Sequence, residues 1–327
     1  MNTDLDQLRQ QVLAWLNDLW ESDGQTGSFR LTATKPPCLM SATDAAWIAH
    51  CINATSDLES KREPWRAWLQ AKQTPETGEF LHDQPNCHKR GHAFWQSARA
   101  LNILGGQMLA FPEYLRPVLT VCGVRKWFAA NSDCHQTLGL IPALVSLNDS
   151  EWGTAFFEEI ARKQDQETGL WPRGAGELGH SFAFTALHTA AGKRPVNSEK
   201  ILDYALKVLA DNLAEGTPFG ADGKRPGFKT MDTVYLIGRL SLQLDRRRAE
   251  SLTILNQLAD RFVPCFFSYW QAPSVRLDTH GLLANVHTFG LLSEALPERF
   301  PNSQPWCFDW DKPDTYHCQP IADWAEQ

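Results

Sequence analysis

Gly179-His-Ser-Phe-Ala-Phe-Thr-Ala-Leu-His-Thr-Ala-Ala-Gly192 decides the fold. It is apolar or small on nearly every side of a helical wheel, as a helix buried all round must be. It then stops on a glycine suited to a helix end. Five other stretches lead an apolar run with a His or Asp in the same way: SATDAAW (Asp44), GHAFW (His92), CHQTL (His135), KTMDTVY (Asp232) and DTHGLL (His280). With His180 in its place, the successive spacings are 48, 43, 45, 52 and 48 residues.

Between these runs lie amphipathic segments. Leu5, Leu8, Val12, Trp15, Leu16 and Leu19 fall at steps of three and four, and Ile201, Leu202, Ala205, Leu206 and Leu209 repeat that period. Each unit therefore reads as a helical hairpin with an outer, one-faced helix and an inner, all-round apolar one. A lone hairpin cannot bury its apolar face, so such repeats stack into a solenoid or close into a ring. The expectation is an all-α (α/α)6 toroid of six hairpins, with the six His/Asp positions converging on one mouth. One domain is expected over residues 1–300, and a Pro/Trp-rich tail over 301–327 packs on it.

Local signals agree. Ser41 and Thr43 precede Asp44 as capping residues, and Gly105-Gly106 and Gly192 follow two inner runs. Three loops share a turn in which a Gly stands two residues before an aromatic: Gly27 and Phe29, Gly78 and Phe80, Gly169 and Trp171. A positive φ accounts for the Gly, and the aromatic packs the loop back on its hairpin.

Composition bounds the function. Hydrophobic residues make up 43% of 327, and 13 Trp with 17 Phe exceed what helix packing needs, which leaves rings to line a cavity. The net charge of −7 and the absence of a basic run longer than Arg246-Arg247-Arg248 argue against a nucleic-acid partner. The N-terminus, MNTDLDQLRQQVLAWL, is acidic and amphipathic where a secretory signal would be basic, and no stretch is long and apolar enough for a transmembrane segment. A cytoplasmic location is expected. There the eight cysteines would be reduced, and no CxxC pair marks a structural zinc site.

The repeat length, the Gly-x-aromatic turns and the doubled helices resemble the α/α-toroid superfamily of terpenoid cyclases and protein prenyltransferase β-subunits. Phe219-Gly-Ala-Asp-Gly-Lys-Arg-Pro-Gly-Phe-Lys-Thr-Met-Asp-Thr-Val-Tyr-Leu-Ile-Gly-Arg-Leu240 is similar to the prenyltransferase loop and inner helix. The resemblance implies a toroid with an aromatic central cavity. The families' catalytic motifs are not repeated here. The DxDD of proton-initiated cyclases and the DDxxD of diphosphate-binding ones are absent, the nearest acidic cluster being Asp309-Trp-Asp311-Lys-Pro-Asp314. Of the prenyltransferase zinc set, Asp232 matches the Asp and His280 loosely matches the His, but Val234 stands where the Cys belongs. Lanthionine cyclases, also α/α toroids, use a Cys and a Cys-His pair, and Cys87-His88, His92 and Cys134-His135 are suitable ligand types. No cofactor and no metal is expected, with zinc as the alternative.

The candidate catalytic residues are Asp44, His92, His135, His180, Asp232 and His280, with Trp47, Trp95, Phe182, Tyr235 and Arg239 as substrate-binding residues and Phe94 and Phe184 nearby. Taken singly, each ionisable residue could be an N-cap or bond a loop carbonyl. Around one cavity they would shift one another's pKa values and let an acid and a base coexist. The leading expectation is an enzyme that binds and transforms a hydrophobic or isoprenoid small molecule by acid/base chemistry. Two alternatives stay open. One is a glycan-active (α/α)6 lyase, epimerase or hydrolase, with Arg173, Glu177 and Arg239 meeting an acidic sugar. The other is a non-catalytic binding scaffold.

Overall fold

Helix α1 (Leu5–Leu19) buries Leu5, Leu8, Val12, Trp15, Leu16 and Leu19, the face its period dictates, and α10 (Ser198–Ala214) does the same with Ile201, Leu202, Ala205, Leu206 and Leu209. The all-round apolar runs form α2 (Leu39–Cys51), α4 (Arg90–Ile103), α6 (Cys134–Leu138), α9 (Glu177–Ala190), α11 (Phe228–Leu244) and α13 (Thr279–Ala295). The computed structural model describes residues 4–81, 90–130, 134–146, 150–171, 177–219, 225–271 and 278–316.

These six helices pack in chain order, each on the next, and α13 returns to pack on α2. Thr279 and Asp44, 235 positions apart, meet at that closure, so the arrangement is a closed ring of helices. The amphipathic helices lie against it. Helix α3 (Glu59–Gln70) packs on α2 and α4, α10 packs on α11, and α12 (Arg248–Trp270) packs on α11 and α13. Helices α5 (Val121–Ala130) and α8 (Ser150–Arg162) pack on one another. A second closure joins the first and last amphipathic helices, where Trp15 meets Trp270 edge-on at 5.9 Å and the Trp270 indole donates to Gln11 Oε1 at 2.9 Å.

Three local expectations need correction. The chain is not wholly helical: β1 (Trp20–Ser22), β2 (Gly27–Thr32) and β3 (Lys35–Pro37) form a three-stranded antiparallel sheet against α2 and α3. Gly27 consequently lies in a strand, where a Cβ would come within 2.3 Å of the Trp20 ring, and Gly24 takes the left-handed turn at φ 92°. Gly78 and Gly169 do take positive φ, as the shared turn requires. Finally, α2 starts at Leu39 with Cys38 and Ser41 as its capping box, so Asp44 is a helix-interior residue.

The C-terminal segment does more than pack on the ring. Trp310 touches Trp47, Trp95, Phe182 and His287, and Phe308 touches Phe182, Tyr235 and His287. Those partners come from α2, α4, α9, α11 and α13. Only a position inside the ring brings one short segment against all five.

Candidate functional site

Steps of three and seven residues stay on one helix face. Helix α4 carries His92, Trp95 and Arg99 at that spacing, α11 carries Asp232, Tyr235 and Arg239, and α2 carries Asp44 and Trp47, with His50 beyond. An ionisable group at the helix start is thus followed one turn deeper by an aromatic ring and, a turn beyond that, by a basic side chain.

At the helix starts, Asp44 is buried and meets His280 Nδ1 at 3.2 Å, with the Thr279 hydroxyl donating to it at 3.4 Å. Burial raises the Asp44 pKa against the opposing pull of His280. Burial also disfavours the charged His280, but the Asp44 carboxylate outweighs it, so the imidazole holds its proton to higher pH than a free one. Neither Asp44 nor Asp232 caps its helix: the N-cap positions are Cys38 and Gly227. The capping alternative is therefore removed for both.

Three histidines run along the next arc, His92 lying 5.4 Å from His135 and His135 6.4 Å from His180, ring centre to ring centre. Glycine makes this approach possible. A Cβ on Gly91 would lie 2.3 Å from the Gln136 carbonyl oxygen, and one on Gly139 2.7 Å from Gly91 Cα, so α4 and the α6 turn touch through bare backbone. Cys134 Sγ lies 3.5 Å from His135 Nδ1.

Asp232 sits apart from these groups, on the wall of an apolar cavity of about 240 Å³ between the starts of α9 and α11 and the helices α10 and α12. Leu178, Tyr204, Leu209, Phe219 and Leu258 line it. Gly179 leaves room beside the carboxyl, since a Cβ there would stand 3.2 Å from Asp232 Oδ2. Among the described residues nothing offsets the desolvation of this carboxyl, and burial pushes its pKa well above the usual carboxylate range. The cavity lies between neighbouring hairpins and not on the ring axis.

The expected substrate-binding aromatics are brought together. Trp47 and Trp95 meet edge-on at 4.8 Å, and Phe182 and Tyr235 at 5.0 Å, in a large buried aromatic interior. Phe94 and Phe184 point elsewhere, to Phe111 and Trp171. Trp310 and Phe308 of the chain's own C-terminal segment fill the space among the first four. Below this layer the basic side chains grip that segment. Arg99, fully buried, pairs with Asp309, lying over the Trp47 ring at 4.3 Å. Arg239 holds Asp311 at 3.1 Å and Glu294 at 2.6 Å, and the Tyr235 hydroxyl donates to Asp311 at 3.0 Å. The Trp310 indole donates to His287 Nε2 at 3.2 Å, which requires a neutral imidazole, and burial holds the His287 pKa well below the ordinary value.

Sequence reasoning singled out Arg239 and named Cys134 with His135 as metal-ligand types, but missed Arg99 and His287 as site components. The signal for Arg99 was present: a guanidinium in an apolar inner helix demands a carboxylate, and Asp309 and Asp311 stood unassigned. Cys87, His88 and Arg173 lie outside the described residues, as does the side chain of Glu177. Two groups among the described residues could hold a metal such as zinc: Cys134, His135 and His180, and His50, Cys307 and Asp309. The set implied by the prenyltransferase resemblance, Asp232 with His280, is not among them, and Val234 between them offers no ligand atom. No helix among the described residues is long and apolar enough to cross a membrane. Compared with known proteins, the chain matches no family model, no curated protein and no solved structure. The toroid likeness thus rests on the closed ring of helices alone.

Proposed function

We propose that the chain is a six-hairpin toroid with inner and outer rings that acts, in the cytoplasm, as a terpenoid-cyclase-like enzyme on a hydrophobic, isoprenoid-class small molecule. Asp232 carries this reading. Burial against an apolar cavity favours the neutral form of this carboxyl, which can give its proton to an apolar guest. In that step the Asp232 O–H bond breaks as an alkene carbon gains a C–H bond, leaving a carbocation and a carboxylate. Aromatic rings such as Phe219 and Tyr204 in the cavity wall then favour the cation. The Asp232 carboxylate left by that step faces the guest and takes a different proton from the cation, which forms the new alkene and restores the acid. Trp47, Trp95, Phe182 and Tyr235 pack on Trp310 and Phe308 and form the rigid buried interior behind the helix starts. The cavity volume lies a little below the usual ligand-pocket range of about 300–1,000 Å³, which suits a small guest or one end of a longer chain.

The test is incubation with neutral polyprenes and prenyl diphosphates in deuterium oxide. The expected result is one deuterium in a new C–H bond of the product, absent with Asp232→Asn, which should still bind the guest. Unchanged turnover by Asp232→Asn would remove Asp232 from the reaction. Cleavage of acidic oligosaccharides, with no binding of prenoids, would replace this reading with the glycan-active one.

A further inference from the structure

Where α6 meets the start of α9, three donors of the right kind for a metal come together. We propose that Cys134, His135 and His180 bind a divalent transition-metal ion, zinc by preference, with one coordination position left open toward the mouth. One thiolate and two imidazoles are the borderline-soft set that favours zinc over magnesium or calcium. Zinc–sulfur and zinc–nitrogen bonds of about 2.3 and 2.0 Å at tetrahedral angles place neighbouring donors about 3.3–3.6 Å apart. The Cys134 Sγ to His135 Nδ1 separation of 3.5 Å is already one such edge. All three donors lie within 4.8 Å of one another, so closing the other two edges asks for movements of about 1 Å, within the reach of side-chain rotation.

The surroundings suit an ion that exchanges ligands. Cys134 and His180 are buried, whereas His135 is half-buried and gives a route in from solvent. The backbone contact through Gly91 and Gly139 fixes the α6 turn against α4 and sets His92 beside His135. Among the described residues three ligands come together, the number that reactive zinc sites use, whereas structural sites are closed by four. The second donor group is a poorer candidate, because the Arg99 guanidinium paired with Asp309 repels a cation there. Binding deprotonates the Cys134 thiol and releases that proton to solvent, which makes affinity rise with pH. This site shares no residue with the Asp232 cavity, so either assignment can fail without the other.

The experiment uses the full, untagged chain, stripped with a chelator and dialysed against zinc or cobalt(II). About one ion per chain is expected, and the cobalt form should have a sulfur-to-cobalt charge-transfer band with intense tetrahedral visible bands. Cys134→Ser should abolish the charge-transfer band. His180→Ala should weaken binding by more than about 100-fold, the upper end of what even outer-shell changes cost. Cys307→Ser and Cys122→Ser should bind as the parent does. Should Cys134→Ser misfold by circular dichroism, the cobalt spectra of His180→Ala and His135→Ala decide alone. Less than about a tenth of an ion per chain, binding unchanged in the His180 variant, or binding lost in Cys307→Ser, would overturn the proposal.

Discussion

The two ends of the ring treat carboxyl groups in opposite ways. At the helix ends that grip the C-terminal segment, Asp309 meets Arg99 and His50, and Asp311 meets Arg239 and Tyr235, so each buried charge is answered. At the helix starts, Asp44 meets the His280 imidazole and the Thr279 hydroxyl, and Asp232 has, among the described residues, burial without compensation. The contrast separates an end whose buried charges are paired from the end that the proposed function makes reactive.

The largest effect that can break this contrast is at the gripping end. Asp309→Ala leaves the Arg99 guanidinium buried without its carboxylate and should cost about 3–5 kcal/mol of stability in chemical denaturation. A loss below about 1 kcal/mol would mean that the segment does not lock the ring.

At the poised end the sign reverses. Unfolded, Asp232 loses its proton near pH 3.8, and folded it keeps it to higher pH. Between those two values the folded state binds more protons, so this group makes stability fall as pH rises. Asp232→Asn should therefore match the parent near pH 4 and be the more stable near pH 8, by about 1.4 kcal/mol for each pKa unit of displacement. Equal stabilities at both pH values would erase the distinction between the ends.

His188 sharpens the comparison as a buried histidine away from the rim. It contacts the Phe184 carbonyl at 2.7 Å, and burial pushes its pKa down from 6.5 to about 4. The unfolded chain takes up the proton first, so stability should fall as pH drops from about 6.5 to about 4, and His188→Gln should flatten that part of the profile. The smallest stability effect belongs to half-buried His135. His135→Ala should cost under about 1 kcal/mol, while abolishing turnover if the arc of histidines is catalytic. A loss of several degrees in Tm would make this residue a packing element.

The ring itself was legible, because a 43–52-residue recurrence of all-round apolar helices has few other ways to bury itself. The face of α1 and the stops at Gly105 and Gly192 followed from period and backbone freedom in the same way. What stayed hidden was long-range. That Trp310 enters the ring depends on partners from four helices spread along the chain, and no local pattern encodes it. The small sheet was missed because Gly27-Ser-Phe-Arg-Leu-Thr32 was read through its glycine as a turn, whereas its β-forming alternation decides its conformation. At the rim, the six positions were named by register, but the pairing of His280 with Asp44 and the isolation of Asp232 arise only when the ring closes.

The most direct test of the poised end is the protonation state of Asp232 itself. Infrared difference spectroscopy between the parent and Asp232→Asn near pH 7 should contain the C=O stretch of a neutral carboxylic acid, which disappears only when the pH is raised well above the ordinary carboxylate range. A carboxylate pair of bands near pH 7, titrating close to 4, would mean that Asp232 is ionised and solvated, and would contradict its role as the acid.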